Sequence, residues 1–184
     1  MKGIGTIRAL SLGSAALLVA GLTGTAALGE STKPPASAQK FVHEAASGGM
    51  MEVALGKIAA QQASSSDVKE FGQRMVADHT KANDELKDLA ARKDITLPKG
   101  LDANQRAEIA RLSKLSGHDF DQSYMKAMTT DHVQDVAAFK EAAASSPDTD
   151  VKAFAAHTLP TLEDHLTEAR RVEAEVNRTA KRGS

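Results

Sequence analysis

From Ser37 to Leu97 the chain contains no proline, and alanine, lysine, glutamate, glutamine and leucine dominate this stretch. Those residues lose little on entering a helix, and nothing in the segment forbids one. A chain so composed is predicted to fold as long helices that must bury their apolar faces against one another. The first is expected from about Ser37 to Gln62, stopping in Ala63-Ser64-Ser65-Ser66. A second should open with Asp67 as its cap and Glu70 reaching back to it, and run to about Lys93, short of Pro98. Asp102 with Gln105 signals a short helix to about Ser116, where Gly117 breaks it. Ser116 with Asp119 restarts the chain into a long helix to Ala144, and Pro147 or Asp148 begins a last one reaching Asn177. Pro160 within that helix should kink it.

Four long amphipathic helices, with short turns at two of three junctions and one short connecting helix, describe an all-α antiparallel four-helix bundle over residues 37–177. Residues 178–184 read as a disordered, frayed tail. Ahead of the helices, residues 1–29 combine Lys2 and Arg8, an apolar run from Ala9 to Leu22 and a small-residue end around Ala27 and Gly29. These are the parts of a secretory signal peptide, and the run is too short for a membrane span. Residues 30–36, with Pro34-Pro35, read as a tether. The expected location is therefore the periplasm or cell envelope, with no transmembrane segment in the mature chain.

The chain has no cysteine, so neither a disulfide framework nor a thiol for acylation is available. It carries 23 Lys and Arg against 24 Asp and Glu, and loss of Lys2 and Arg8 with a leader makes the balance more acidic. With five Phe, one Tyr and no Trp there is little to stack on bases, so nucleic acid is excluded as an expected partner. No nucleophile with a paired base, phosphate loop or paired-Cys motif is present.

Four motifs in order carry a family resemblance: Gly-Gly-Met-Met-Glu-Val-Ala-Leu-Gly (48–56), Met-Val-Ala-Asp-His-Thr-Lys-Ala-Asn (75–83), Ser-Gly-His-Asp-Phe-Asp-Gln-Ser-Tyr (116–124) and Leu-Pro-Thr-Leu-Glu-Asp-His-Leu (159–166). The chain resembles domain-of-unknown-function family 4142, exported bacterial proteins often labelled as outer membrane proteins. The resemblance spans nearly all of the mature chain. It implies a ferritin-like bundle and no established activity, and a helical chain lacks the alternating strands that an outer-membrane barrel requires.

Rotating each helix by roughly 100° per residue separates inner from outer positions. The first helix turns Phe41, Ala45, Gly48, Glu52, Leu55, Gly56 and Ala59 inward. The third long helix turns in Tyr124, Met128, His132, Val136 and Phe139, with Asp131 at one edge. The last turns in Val151, Phe154, Thr158, Leu162, His165, Ala169 and Val172, with Asp164 outward. On the second, Asp78 and His79 flank the centre of a stripe set by Phe71, Met75, Ala82 and Leu86, so either could face the core. Glu52 and His79 lie at similar distances from the turn near Ser65, and His132 and His165 from the turn near Pro147, which brings all four to one height.

One glutamate and up to three histidines meeting in a helical core make a ligand set suited to zinc, manganese or iron: Glu52, His79, His132 and His165. The competing expectation is a non-enzymatic envelope or stress scaffold in which the same residues form a buried polar network without metal. A metal-dependent oxidase or hydrolase is a third possibility. A ferritin-type di-iron centre is not encoded, since Val76, Thr129 and Leu162 stand three residues before the histidines where Glu would be needed. Gly48 and Gly56 flank Glu52 by one turn and either make room for an ion or let helices approach closely. His43, His118 and His157 are expected at the surface, and Tyr124 as a buried phenol.

Overall fold

The computed structural model describes residues 33–183, with side chains to residue 179. They lie within the second of the two units into which the chain divides, Met1–Glu30 and Ser31–Ser184. The expected signal peptide, and the first residues of the expected tether, fall outside the described residues. Five helices follow one another: α1 Ala36–Gln62, α2 Ser66–Arg92, α3 Ala103–Leu112, α4 Gly117–Ser145 and α5 Thr149–Gly183. Among the described residues there is no strand, only an isolated bridge between Ala63 and Gly117. The long helices pair as α1 with α2 and α4 with α5, each across a short turn, and the two pairs meet through α1 against α4 and α2 against α5.

Helix ends are fixed by identifiable groups. The Asp102 carboxylate accepts from the backbone N–H of Gln105 while the Gln105 side chain accepts from the N–H of Asp102, the reciprocal cap expected from sequence. At α2 the expectation fails. The helix starts two residues earlier, with Ser65 at the cap position and Asp67 in its first turn, and Asp121 of α4 accepts from the N–H groups of Ser64 and Ser65 at 3.0 and 2.8 Å. A carboxylate from a distant helix thus holds the turn that leads into α2, where no side chain caps the helix locally. Asp148 performs the same task at α5, accepting from Asp150 and Val151, and also receives Lys93 from the end of α2. The short helix α3 closes at Leu112, and Gly117 adopts φ +59°, the left-handed conformation that glycine alone takes cheaply. At its far end α5 extends to Gly183. The same helix passes through Pro160 without interruption, with the ring on its exposed side.

The apolar interior divides into clusters on either side of a polar layer. One holds Leu55, Phe71, Met75, Tyr124, Met128 and Val172; the others hold Val42, Leu86 and Val151, and Val136, Phe139 and Leu162. On every long helix the changeover falls at one of the four residues singled out from sequence: 52, 79, 132 and 165. Phe41 and Phe154, expected in the core, are half-buried, and both pack on Phe139 with ring centroids 4.9 and 6.0 Å away. The first half of α1 is rotated by about one residue from the sequence stripe, so that Val42, Ala46 and Gly49 face inward in place of Phe41, Ala45 and Gly48.

That rotation reassigns the glycines. A Cβ on Gly48 would meet nothing within 4 Å, so this residue neither shapes the layer nor permits a contact. Gly56 faces Gly72 of α2, whose carbonyl oxygen would stand 2.7 Å from an added Cβ, so here glycine serves close approach of two helices. At Gly49 the space that a Cβ would fill is taken by the amide of Asn83.

Candidate metal centre

Each long helix delivers one residue to the layer: Glu52 from α1, His79 from α2, His132 from α4 and His165 from α5, with exposures of 1, 5, 0 and 0%. All four residues expected from the sequence come together. The three imidazole centroids form a nearly equilateral triangle, with separations of 5.6, 5.3 and 5.4 Å. Each ring offers a nitrogen within 4.8 Å of those of the other two.

Outer partners decide which nitrogen of each ring carries the proton. His132 Nδ1 lies 3.0 Å from the carbonyl oxygen of Met128, which can only accept, so Nδ1 is the protonated atom. His165 Nε2 lies 2.8 Å from Asp78 Oδ2 and donates to that carboxylate. His79 Nδ1 lies 2.9 Å from Glu52 Oε2 and donates in the same way. Neutral rings so held turn three lone pairs away from those partners: His79 Nε2, His132 Nε2 and His165 Nδ1. His132 Nε2 and His165 Nδ1 are 3.4 Å apart, and Glu52 Oε1 is also 3.4 Å from His132 Nε2. Neither His79 Nε2 nor Glu52 Oε1 has a hydrogen-bond partner among the described residues.

Electrostatics favours the neutral form of His132 and His165 and the charged form of His79. Burial lowers His165 to about 4, helped by the fields of His79, His132 and Arg74 and opposed by the hydrogen bond to Asp78. Burial likewise lowers His132. His79 is raised, because the charge and hydrogen bond of Glu52 outweigh its own burial. Burial alone would raise Glu52, yet the His79 contact holds it well below the usual carboxylate range. Asp131 is pushed up to about 7 by burial and by the nearby Glu52 charge.

Asp78 and His79 were alternatives in the sequence, and the structure uses both. His79 points into the layer, while Asp78, half-buried, holds His165 from outside and pairs with Arg74. Arg74 in turn reaches Glu168 at 2.5 Å. Asp135 was missed. Burial and the negative charge of Glu52 raise its carboxyl well above the ordinary range, and it offers an oxygen within 4.8 Å of ligand atoms on Glu52 and His132. It lies three residues after His132, a spacing that shares a helix face, but Val136 had claimed the inner position. His43 and His157 are exposed as expected, whereas His118 is half-buried. Tyr124 is fully buried, with its ring against Phe71 and Phe120.

These buried His, Glu and Asp groups could hold a metal ion. Among the described residues no helix is long and apolar enough to cross a membrane. No curated protein matches the chain. Its fold is similar to that in "Crystal structure of DUF305 fragment from Deinococcus radiodurans", with a TM-score of 0.66, 14% identity, and coverage of 79% of this chain and 98% of that one. Residues 23–172 match a family model that spans α1, α2, α3, α4 and the layer between them, and the chain therefore belongs to the family described as Domain of unknown function (DUF4142).

Proposed function

We propose that this protein is an exported, ferritin-like four-helix bundle of the periplasm or cell envelope that binds one divalent transition-metal ion, zinc, manganese or iron, in its core. The ligands are His79, His132 and His165, with Glu52 beside them. The observation that carries this reading is the 3.4 Å separation of two unprotonated nitrogens, His132 Nε2 and His165 Nδ1. Two lone pairs at that distance repel unless a cation lies between them. Tetrahedral metal–nitrogen bonds of about 2.0–2.1 Å span an edge of about 3.4 Å. A hydrogen-bonded network without metal leaves these nitrogens and His79 Nε2 unsatisfied, at a cost of roughly 1–3 kcal/mol for each buried group.

Each ring is also held from outside, by Glu52, Met128 and Asp78, the arrangement that orients imidazole ligands. An ion bound only by the folded state raises the melting temperature. Thermal unfolding of wild type, His165→Ala and Glu52→Ala, with and without zinc, manganese and iron, tests the proposal. The expected result is a rise for wild type that is abolished by His165→Ala and reduced by Glu52→Ala. No rise for wild type, or equal rises for all three proteins, would favour a metal-free interaction scaffold.

A further inference from the structure

The layer contains a second ligand set that shares a residue with the first. Glu52, His132 and Asp135 bring three ligand atoms within 4.8 Å of one another, as do His79, His132 and His165. His132 belongs to both, and its Nδ1 is committed to the Met128 carbonyl. Only Nε2 remains, and an sp2 nitrogen has one lone pair, so it serves one ion at a time.

Resting on the metal reading above, we infer that the centre has two mutually exclusive seats for a single ion, a nitrogen seat at His79, His132 and His165 and an oxygen seat at Glu52, Asp135 and His132. In the nitrogen seat Glu52 Oε2 accepts from His79 Nδ1 and orients that ring. In the oxygen seat Glu52 Oε1, which has no partner among the described residues, binds the ion while Oε2 keeps its bond to His79. His79 and Glu52 thus exchange the roles of ligand and orienting partner with no change in their mutual 2.9 Å contact.

The two seats differ in chemistry. Three imidazoles suit zinc, whereas two carboxylates with one imidazole, formed when the ion displaces the Asp135 proton to solvent, suit manganese(II), which favours oxygen donors and retains water. A cavity of about 20 Å³ borders Glu52 and Asp135, both ligands of the oxygen seat, and His79 of the nitrogen seat, with Asn83 and Thr158 also in its wall. That volume holds one water molecule, enough to add a solvent ligand beside two of the three oxygen-seat residues but only one of the nitrogen-seat residues. The ion's identity therefore selects its position.

Titration calorimetry of the full-length protein with zinc and with manganese(II), singly and in competition, tests this. Wild type should bind one ion in total, with the two metals displacing each other. His165→Gln should weaken zinc by about tenfold or more while leaving manganese within about threefold, and Asp135→Asn should do the reverse. Both substitutions are close in size to the native residues; circular dichroism checks their fold, and His165→Asn with Asp135→Ser repeats the comparison if either is misfolded. Equal weakening of both metals by each variant, or simultaneous binding of two ions, overturns the two-seat arrangement while leaving metal binding intact. Failure of wild type to bind either ion overturns the metal reading and this inference with it.

Discussion

His132 and His165 face each other across 3.4 Å with their protons on the far sides, one donated to the Met128 carbonyl and one to Asp78. Neither ring gains by taking a second proton, since burial disfavours the imidazolium in both. The pair therefore resists protonation and carries a stability cost in acid.

For His165 that cost has a defined window. Its folded value of about 4 lies below the ordinary histidine value of 6.5, so the unfolded chain binds the extra proton first. The contribution is complete above pH 6.5 and is lost as pH falls from there to about 4. At roughly 1.4 kcal/mol per unit it amounts to about 3–4 kcal/mol. His132 acts in the same direction, whereas raised His79 acts oppositely, its contribution fading as pH rises through its folded value. Urea unfolding of the metal-free protein at pH 7 and pH 5 should show the loss. His165→Leu should flatten the pH dependence by up to one proton.

Asp131 has the opposite sign. Its folded value near 7 exceeds the ordinary aspartate value of 3.8, so stability falls as pH rises between the two. Asp131→Asn should stabilise the protein at pH 8 by about 1–3 kcal/mol and by much less at pH 4. An equal gain at both values would show that the carboxylate is not strained by its surroundings.

Two glycines one turn on either side of Glu52 should respond in opposite ways. Gly48→Ala meets open space in a helix interior and should stabilise by about 0.5–1 kcal/mol. Gly56→Ala places a methyl 2.7 Å from the Gly72 carbonyl oxygen and should destabilise by about 1–3 kcal/mol. Thermal melts of the two variants, read against wild type, give the comparison.

Leu162 is 3% exposed within an apolar cluster, so Leu162→Ala should cost about 2–5 kcal/mol. His43→Ala, on the exposed side of α1, should change stability by less than about 0.5 kcal/mol. Denaturant series on both variants check the rotation assigned to the first and last helices.

The helices and the four layer residues were legible because they rest on periodicity and distance from turns, which a single sequence contains. Glu52, His132 and His165 sat on clear apolar stripes, and equal spacing from two turns set their height. What escaped depended on neighbours. Asp121 holds the α1–α2 turn from fifty-odd residues away in sequence, so no local pattern revealed it. Asp135 was hidden because Val136 fitted the apolar stripe better, and only packing against Glu52 brings the carboxyl inward. The rotation at Phe41 accompanies its edge-on contact with Phe139 of α4, a contact invisible from α1 alone.

Asp121 ties the α1–α2 turn to α4 at one end of the molecule, and Lys93 ties the end of α2 to Asp148 and Asp150 at the other. Both ties cross between the helix pairs, and the layer lies midway. Sliding of one pair against the other is therefore arrested before any ion arrives. An ion entering such a frame spends little of its binding free energy on ordering the chain. Loosening Asp121 or Lys93, each far from the histidines, should then appear as weaker affinity with the ligand set unchanged.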